Sequence, residues 1–577
     1  MTKPHRKVYI PTDIDILQRI AMRLNSICLI DCRPDIVEHF RALVPRVLAF
    51  KPGLEEYIFD LPAALEESGI SPDAIVQQEN LTRRVLVAGL GNYDCPKLFW
   101  GLDPHLNAHW QAYYARLFDL TCSTQKRSIP DLRLRGAADV RWLPWFAPAG
   151  GEWVPWSKRE HKIAFVGRIT PQRPAREWMV DLLKTQFKEA QPAIRDGLAF
   201  NEMLDLYRHS MLAPNETIFN ETNLRLFEAA ACGCLVFNPD TGEEMEGLFE
   251  PGKEVEVFDT IADLRELLTQ HLADTRRAQA MGRAAFERTQ TEHRMEHRVK
   301  RMHDYLRDAG SHAASGDEEN KWFWLSAFAL LEAGLCGIPA TTVLREITAL
   351  KQDADVTTAL LRAQTGSGSR ETLGNMQVIL AGKLHEHSLD INVAGSMLAL
   401  RNAQEQAFWD CAKTFWYRHL QTTGTTAPQP PQDAQHLYLL WARELRKQGR
   451  ILKSGFAFDP KRHLPSTAVE CLMAVLHQEP QHLEALQLLE AMTRDIRGLE
   501  QSRVGYLSIL TLFKRNDWRM GLELALANLR AFRLQPGLEE LAVARSLARE
   551  QGQQAHFERS LKARDPWGRL RRLLGED

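Results

Sequence analysis

The sequence changes character near Tyr305, and that change limits the folds open to it. Before it, short β-branched or apolar runs alternate with amphipathic stretches. Expected strands are residues 7–10, 26–31, 47–50, 97–102, 139–143, 162–166, 211–214, 234–237 and 255–258. Helical stretches between them include 35–43, 108–118, 177–187 and 260–273. Strand and helix in alternation imply parallel sheets covered by helices. After Tyr305, helical periodicity is almost the whole signal. The chain therefore reads as α/β followed by all-α.

A Pro, Gly and Trp-rich break at 144–158 (PWFAPAGGEWVPWSK) splits the α/β part into two units of similar size. Two Rossmann-like domains facing a cleft are expected, residues 1–157 and 158–307, with ligands at the carboxyl ends of the strands. Residues 308–320 are polar and small, a linker by composition. A Pro/Thr-rich break at 421–435 divides the helical part into 317–420 and 433–577. The second of these holds paired helices, 468–476 with 483–492 and 521–532 with 538–550. Their turns, at Glu479–Pro480 and Gln535–Pro536, are 56 residues apart. No strict 34-residue period exists, so stacked hairpins of tetratricopeptide type describe the region better than a true repeat.

Charge and composition exclude several classes. The 577 residues carry 72 Lys and Arg against 74 Asp and Glu, a formal charge of -2. General affinity for nucleic acid or anionic membrane needs a basic surplus. The most apolar run, 322–335, is too short to span a bilayer. The start, MTKPHRKVYIPTD, has no apolar signal region. Nine cysteines, an odd number, read as reduced thiols, and Cys232 and Cys234 stand too close for the usual zinc spacing. A soluble cytoplasmic protein is expected.

Two segments carry the chemistry. In FNETNLRLFEAAACGCLVF, residues 219–237, a helix over 224–231 ends at Gly233 and runs into a buried strand. Glu228 lies in its apolar body, where a lone carboxylate is costly to bury. Pairing with Arg225 is the structural alternative to ligand binding. In IAFVGRITPQRP, residues 163–174, a strand ends at Gly167, and Arg168 and Arg173 follow in the loop. Two guanidiniums there suit a diphosphate through bidentate contacts; solvated loop charges are the alternative.

These segments are similar to the donor-binding domain of group 1 glycosyltransferases of the GT-B fold. VGRITPQRP matches that group's Gly-Arg followed by a basic residue, with Arg173 where Lys is more usual. ETNLRLFEAAACGCLVF matches its nucleotide-sugar segment, and PGKEVEVFDTIADLRELL, residues 251–268, its later loop, strand and helix. PKLFWGLDPHLNAHWQ, residues 96–111, resembles the CgeB-type, spore-maturation-protein-like branch. The resemblance implies that Glu228 binds the ribose and that Gly167, Arg168 and Arg173 hold the donor diphosphate. It places Asn223 and Arg225 within reach of the donor. Many retaining members carry a second Glu eight positions before the ribose-binding one; here that position is Asn220.

On the acceptor side, Asp103 is the first choice for the base that takes the acceptor proton and His105 the second, with a helix N-cap and a surface histidine as the alternative. The Asp-x-Asp pairs, Asp13–Asp15 and Asp353–Asp355, are not placed to hold a nucleotide diphosphate, so no metal and no other cofactor is expected. Stacked helical hairpins commonly bind polypeptide, which points to a protein acceptor or partner. Analogy within the resemblance names flagellin or another surface protein. Two rival readings are a non-catalytic scaffold, favoured by Asn220, and a helical oligomerisation module.

The remaining motifs read as structure. Gly89 and Gly91 in VLVAGLGNYD are too close to the next strand for a dinucleotide loop and its helix, and a helix over 81–90 capped by them is expected. Residues 322–331 read as core, and the basic stretch 559–574 as a solvated closing helix.

Overall fold

The computed structural model describes residues 23–150, 152–171, 173–311, 316–365, 370–382, 388–425, 430–565 and 567–573. The expected strand 7–10 and the Asp13–Asp15 pair lie outside them. The chain forms two compact units: residues up to Pro144 with Met295–Glu346, and Trp145–Arg294 with Ile347 onward. Both are built on all-parallel sheets, and the chain past 346 is helical, as the alternation implies.

In the first unit, β1 (Ser26–Ile30), β2 (Arg46–Phe50), β4 (Ile75–Gln78), β6 (Lys97–Gly101), β7 (Leu120–Ser123) and β8 (Val140–Trp142) form a sheet in the order β2-β1-β4-β6-β7-β8. β3 (Ile58–Asp60) and β5 (Leu86–Ala88) make a separate parallel pair. The helix Met295–Asp308 packs on Pro34–Leu43, and Gly316–Glu332 on Pro104–Tyr114. These contacts draw 295–346 into the first unit, whereas the sequence division kept 158–307 together. In the second packing, Tyr113 stacks on Trp322 at 6.5 Å and the Arg116 guanidinium lies 3.9 Å from the centre of that indole. Much of the apolar run 322–331 is buried there, while the expected linker already contains the start of this helix at Gly316.

The Gly89–Gly91 segment forms no helix over 81–90. β5 occupies part of it and a single 3-10 turn, Leu90–Asn92, follows. Gly89 has φ 80, and a Cβ there would fall 2.4 Å from the Pro62 ring, so a side chain is excluded twice over. The four residues of β4 were not expected as a strand, because two of them, Gln77 and Gln78, are polar yet buried. Gln77 donates to the Val85 carbonyl at 2.9 Å and accepts from the Tyr114 hydroxyl at 2.6 Å.

In the second unit, β9 (His161–Val166), β10 (Ala193–Arg195), β11 (Ser210–Pro214), β12 (Leu235–Pro239) and β13 (Glu256–Phe258) order as β10-β9-β11-β12-β13. The helices Pro174–Gln186 and Ile261–Ala273 bury Met179, Leu183, Leu264 and Leu268 against it. The same core contains Trp518, Leu522, Leu526 and Leu541 from the helices Trp518–Arg530 and Leu534–Glu550. The last helices are thus part of the sheet's own core rather than a detached module. The basic C-terminal stretch is likewise docked: Arg569 donates to the Val257 carbonyl, and Arg572 pairs with Glu266 at 2.9 Å. A second cluster joins helices from Leu361 to Met492.

Candidate functional site

The carboxyl ends of β9, β11 and β12 collect the polar residues of the second unit. β9 ends at Val166, and the chain turns at Gly167, whose N–H donates to the Arg195 carbonyl at 3.0 Å. A Cβ on Gly167 would lie 2.8 Å from an Arg225 nitrogen and 3.2 Å from an Arg176 nitrogen, so two guanidiniums occupy the space a side chain would take. Arg168 is exposed and Arg173, which precedes the helix Pro174–Gln186, is half-buried. Among the described residues, neither forms an ion pair.

Arg176 is a different kind of arginine. It is buried, as is Glu216, and binds that carboxylate through Nε at 2.9 Å and Nη2 at 2.8 Å. Its Nη1 donates to the Arg168 carbonyl at 2.7 Å, which fixes the Gly-Arg turn from beneath. Burial lowers its pKa, opposed mainly by the Glu216 charge. Arg225 donates to the Val166 carbonyl at 3.0 Å, to Asn215 at 2.7 Å and to the Glu216 carbonyl at 3.3 Å, and its guanidinium lies over the Phe165 ring. Asn215 donates to Asn223 at 3.0 Å and to Asn238 at 2.6 Å. The loops after β9, β11 and β12 are thereby tied into one polar lattice. Four guanidiniums surround the end of β9, and Glu216 is the carboxylate committed among them.

The helix Leu224–Ala231 begins at Asn223, whose side chain is spent on Asn215 and Glu216 rather than on capping. Glu228 lies one turn beyond Arg225 and is half-buried. Its charge raises the pKa of the nearby Tyr207 hydroxyl, although burial is the larger cause. Gly233 follows the helix in the left-handed region, φ 74, and Cys232 and Cys234 are fully buried at the helix–strand junction, as small core residues.

The structure therefore gathers Gly167, Arg168, Arg173, Asn223 and Arg225 around β9 and β11, with Arg225 and Asn223 serving the lattice. Sequence reasoning missed Arg176, Asn215, Glu216 and Asn238. Their signal was weak, because each is an ordinary polar residue with a partner on another loop or element; Arg176 and Glu216 are 40 apart, and Asn215 and Asn238 are 23 apart.

Asp103 and His105 lie in the first unit, after β6. Asp103 precedes the helix Pro104–Tyr114 with φ 44, makes no side-chain cap, and receives its place from a hydrogen bond of its N–H to Thr124 at 3.2 Å. A non-glycine residue in this region is strained. His105 is buried, so the surface-histidine alternative does not hold. Below them, Glu79 accepts from the Leu102 N–H at 2.7 Å and from Gln111 at 2.6 Å. Burial pushes its pKa up to about 8, against the lowering effect of Arg84. Among the described residues no group of three His, Cys, Asp or Glu is arranged to hold a metal, and Asp353 caps a helix through the Val356 N–H. No described helix is long and apolar enough to cross a membrane.

Residues 153–304 match the family described as glycosyl transferase-like. The matched segment is therefore glycosyl transferase-like, in agreement with the motif resemblance; it spans the sheet of the second unit and ends in the helix Met295–Asp308 of the first. Among solved structures, Anabaena Alr3699/HepE in complex with UDP and glucose is 13% identical, over 49% of this chain and 99% of that one, with a TM-score of 0.37. The sucrose-phosphate synthase tll1590 of Thermosynechococcus elongatus is 12% identical over 49% and 98%, also with a TM-score of 0.37. The pneumococcal O-GlcNAc transferase GtfA in complex with UDP and GlcNAc is 11% identical over 43% and 59%, with a TM-score of 0.30. No curated protein matches the sequence.

Proposed function

We propose that the protein is a glycosyltransferase that moves a sugar from a nucleotide diphosphate donor to an acceptor hydroxyl. The observation that carries this reading is the guanidinium cluster at the end of β9 inside the glycosyl transferase-like segment. Arg168 and Arg173 have side chains uncommitted to any carboxylate among the described residues, on a turn that Arg176 and Arg225 hold rigid. Pre-placed cations stabilise the charge that develops on a departing diphosphate without reorganising. In the reaction, the acceptor oxygen bonds to the anomeric carbon while the bond from that carbon to the diphosphate breaks. The nucleoside diphosphate leaves, and the acceptor proton passes to Asp103 or, as second choice, His105. Glu228 accepts hydrogen bonds from the ribose.

Within this reading the protein is of the CgeB-type branch, works in the cytoplasm, and needs neither metal nor cofactor. The acceptor is a protein, flagellin or another surface protein, held by the helical hairpins. The test is a thermal-shift panel of UDP, GDP, dTDP, CMP and ADP, with and without Mg²⁺, on wild type and Arg168→Ala. One diphosphate stabilising wild type alone, without metal, is expected; ligand at 100 times its Kd adds about 2.7 kcal/mol. No response to any of the five removes the enzyme reading and leaves a scaffold.

A further inference from the structure

The helical region reaches the loop that precedes the donor-site helix. The loop from Thr217 to Thr222 is organised from within: buried Glu221 accepts the Ile218 N–H at 3.1 Å and the Phe219 N–H at 2.7 Å. Asn220 holds φ 59 and donates to the Asp240 carbonyl at 2.9 Å. The outer side of the loop meets Gly498, in the turn between the helices Leu483–Thr493 and Glu500–Phe513. A Cβ on Gly498 would lie 2.5 Å from the Phe219 Cα and 2.9 Å from its carbonyl carbon, so the two backbones touch. Gly498 also has φ 89, a conformation in which a Cβ is strained against its own backbone whatever surrounds it.

This turn is bolted to the sheet. Asp259, next after β13, receives Arg497 and also Arg530, the latter through Nε at 3.1 Å and Nη2 at 2.9 Å. Asp259 is nearly buried, with its side chain 8% exposed, so salt and solvent screen these ion pairs less than surface pairs. Phe532 meets Phe258 edge-on at 5.9 Å. A cavity of about 80 Å³ separates these parts, walled by Ile218, Asn220, Asp240, Asp259, Gly498 and Arg530. The loop thus has a fixed wall behind it that 160–310 alone does not supply.

We infer that the Arg497–Gly498 turn, clamped by Arg497 and Arg530 on Asp259, is a positioning element of the donor site: it holds the 217–222 loop in its binding conformation and so sets donor affinity. The second half rests on the glycosyltransferase reading above; the first half does not.

The two halves are separated by measuring hydrogen exchange of 217–222 and nucleotide affinity on the same full-length proteins, with the five nucleotides of the panel as probes. The variants are Arg497→Ala with Arg530→Ala, the same pair changed to Lys, and Gly498→Ala. Arg564→Ala is the control, since it breaks a helical-region ion pair to Glu523 that does not touch the loop. Expected for the double Ala variant is at least a tenfold loss of protection in 217–222 and at least a tenfold rise in Kd. The Lys pair should return both to within about threefold of wild type, and Arg564→Ala should move neither beyond twofold. Unchanged protection in 217–222, or an equal effect of Arg564→Ala, overturns the brace. Lost protection with unchanged Kd overturns its control of affinity. Failure of wild type to bind any nucleotide overturns the donor reading, and with it the control of affinity, while the exchange result still decides the brace.

Discussion

Arg168 and Arg176 lie eight residues apart and differ chiefly in burial, which separates binding from folding. Arg168 is exposed, so Arg168→Ala should leave the urea midpoint unchanged within about 0.5 kcal/mol. The same change should weaken the bound nucleotide at least tenfold in titration calorimetry, since a hydrogen bond to a charged group contributes roughly 1.5–3 kcal/mol. Glu216→Ala does the reverse work: it strands the Arg176 guanidinium, buried and unpaired, at a cost of about 3–5 kcal/mol in urea unfolding. Glu79 gives a pH dependence with a definite sign. Its pKa is raised from 4.5 to about 8 in the folded protein, so between those values the folded state keeps a proton the unfolded chain has released. Its contribution to stability is full below pH 4.5 and is lost as the pH climbs to about 8. Wild type should therefore lose more stability than Glu79→Gln between pH 5 and pH 8 in parallel urea titrations; equal losses would contradict the assignment. Of these residues, only Arg168 was legible in the sequence, because it stands in a motif of fixed spacing. Arg176, Glu216 and Glu79 became visible through partners 40, 40 and 32 residues away.

The strands that could be read carry apolar residues, in a long run in β1 and β9 and more sparsely in β8 and β13. β4 and β7 escaped because Gln77, Gln78, Thr121 and Ser123 are polar and still buried. The helix pairs were found near their positions, since 3.6-residue periodicity needs no partner to be seen. Gln535 and Pro536, however, lie in the first turn of the helix Leu534–Glu550, where Pro is tolerated, and not in the turn before it. What they pack against was not. Trp518 opens the helix Trp518–Arg530 at 1% exposure, donates to Gln553 at 2.8 Å, and shares a core with β9, β11 and β12. Trp518→Ala should cost about 3–5 kcal/mol. The loss should appear in the unfolding of the glycosyl transferase-like sheet, followed by exchange of the β9 and β11 amides, and not only in that of the helices. Faster exchange confined to 518–564 would show the two to be independent.

Division of the chain at 307 cuts both units. A fragment ending there lacks the helix Gly316–Glu332, which covers Pro104–Tyr114, and lacks the helices that complete the core of the second sheet. Such a fragment should fail to unfold cooperatively by circular dichroism, whereas the full chain should do so; a cooperative fragment would refute the shared cores. The sequence by itself determined the α/β-then-helical order, the ends of the main strands and the Gly-Arg turn at 167–168, because periodicity, turn chemistry and local motifs are written in neighbouring residues. Only the tertiary structure decided which segments share a core, which arginine is buried on Glu216, and what stands behind Phe219. Those outcomes depend on contacts between residues tens to hundreds of positions apart, as between Asp259 and Arg530, where burial and paired charge are set by packing that no local pattern encodes.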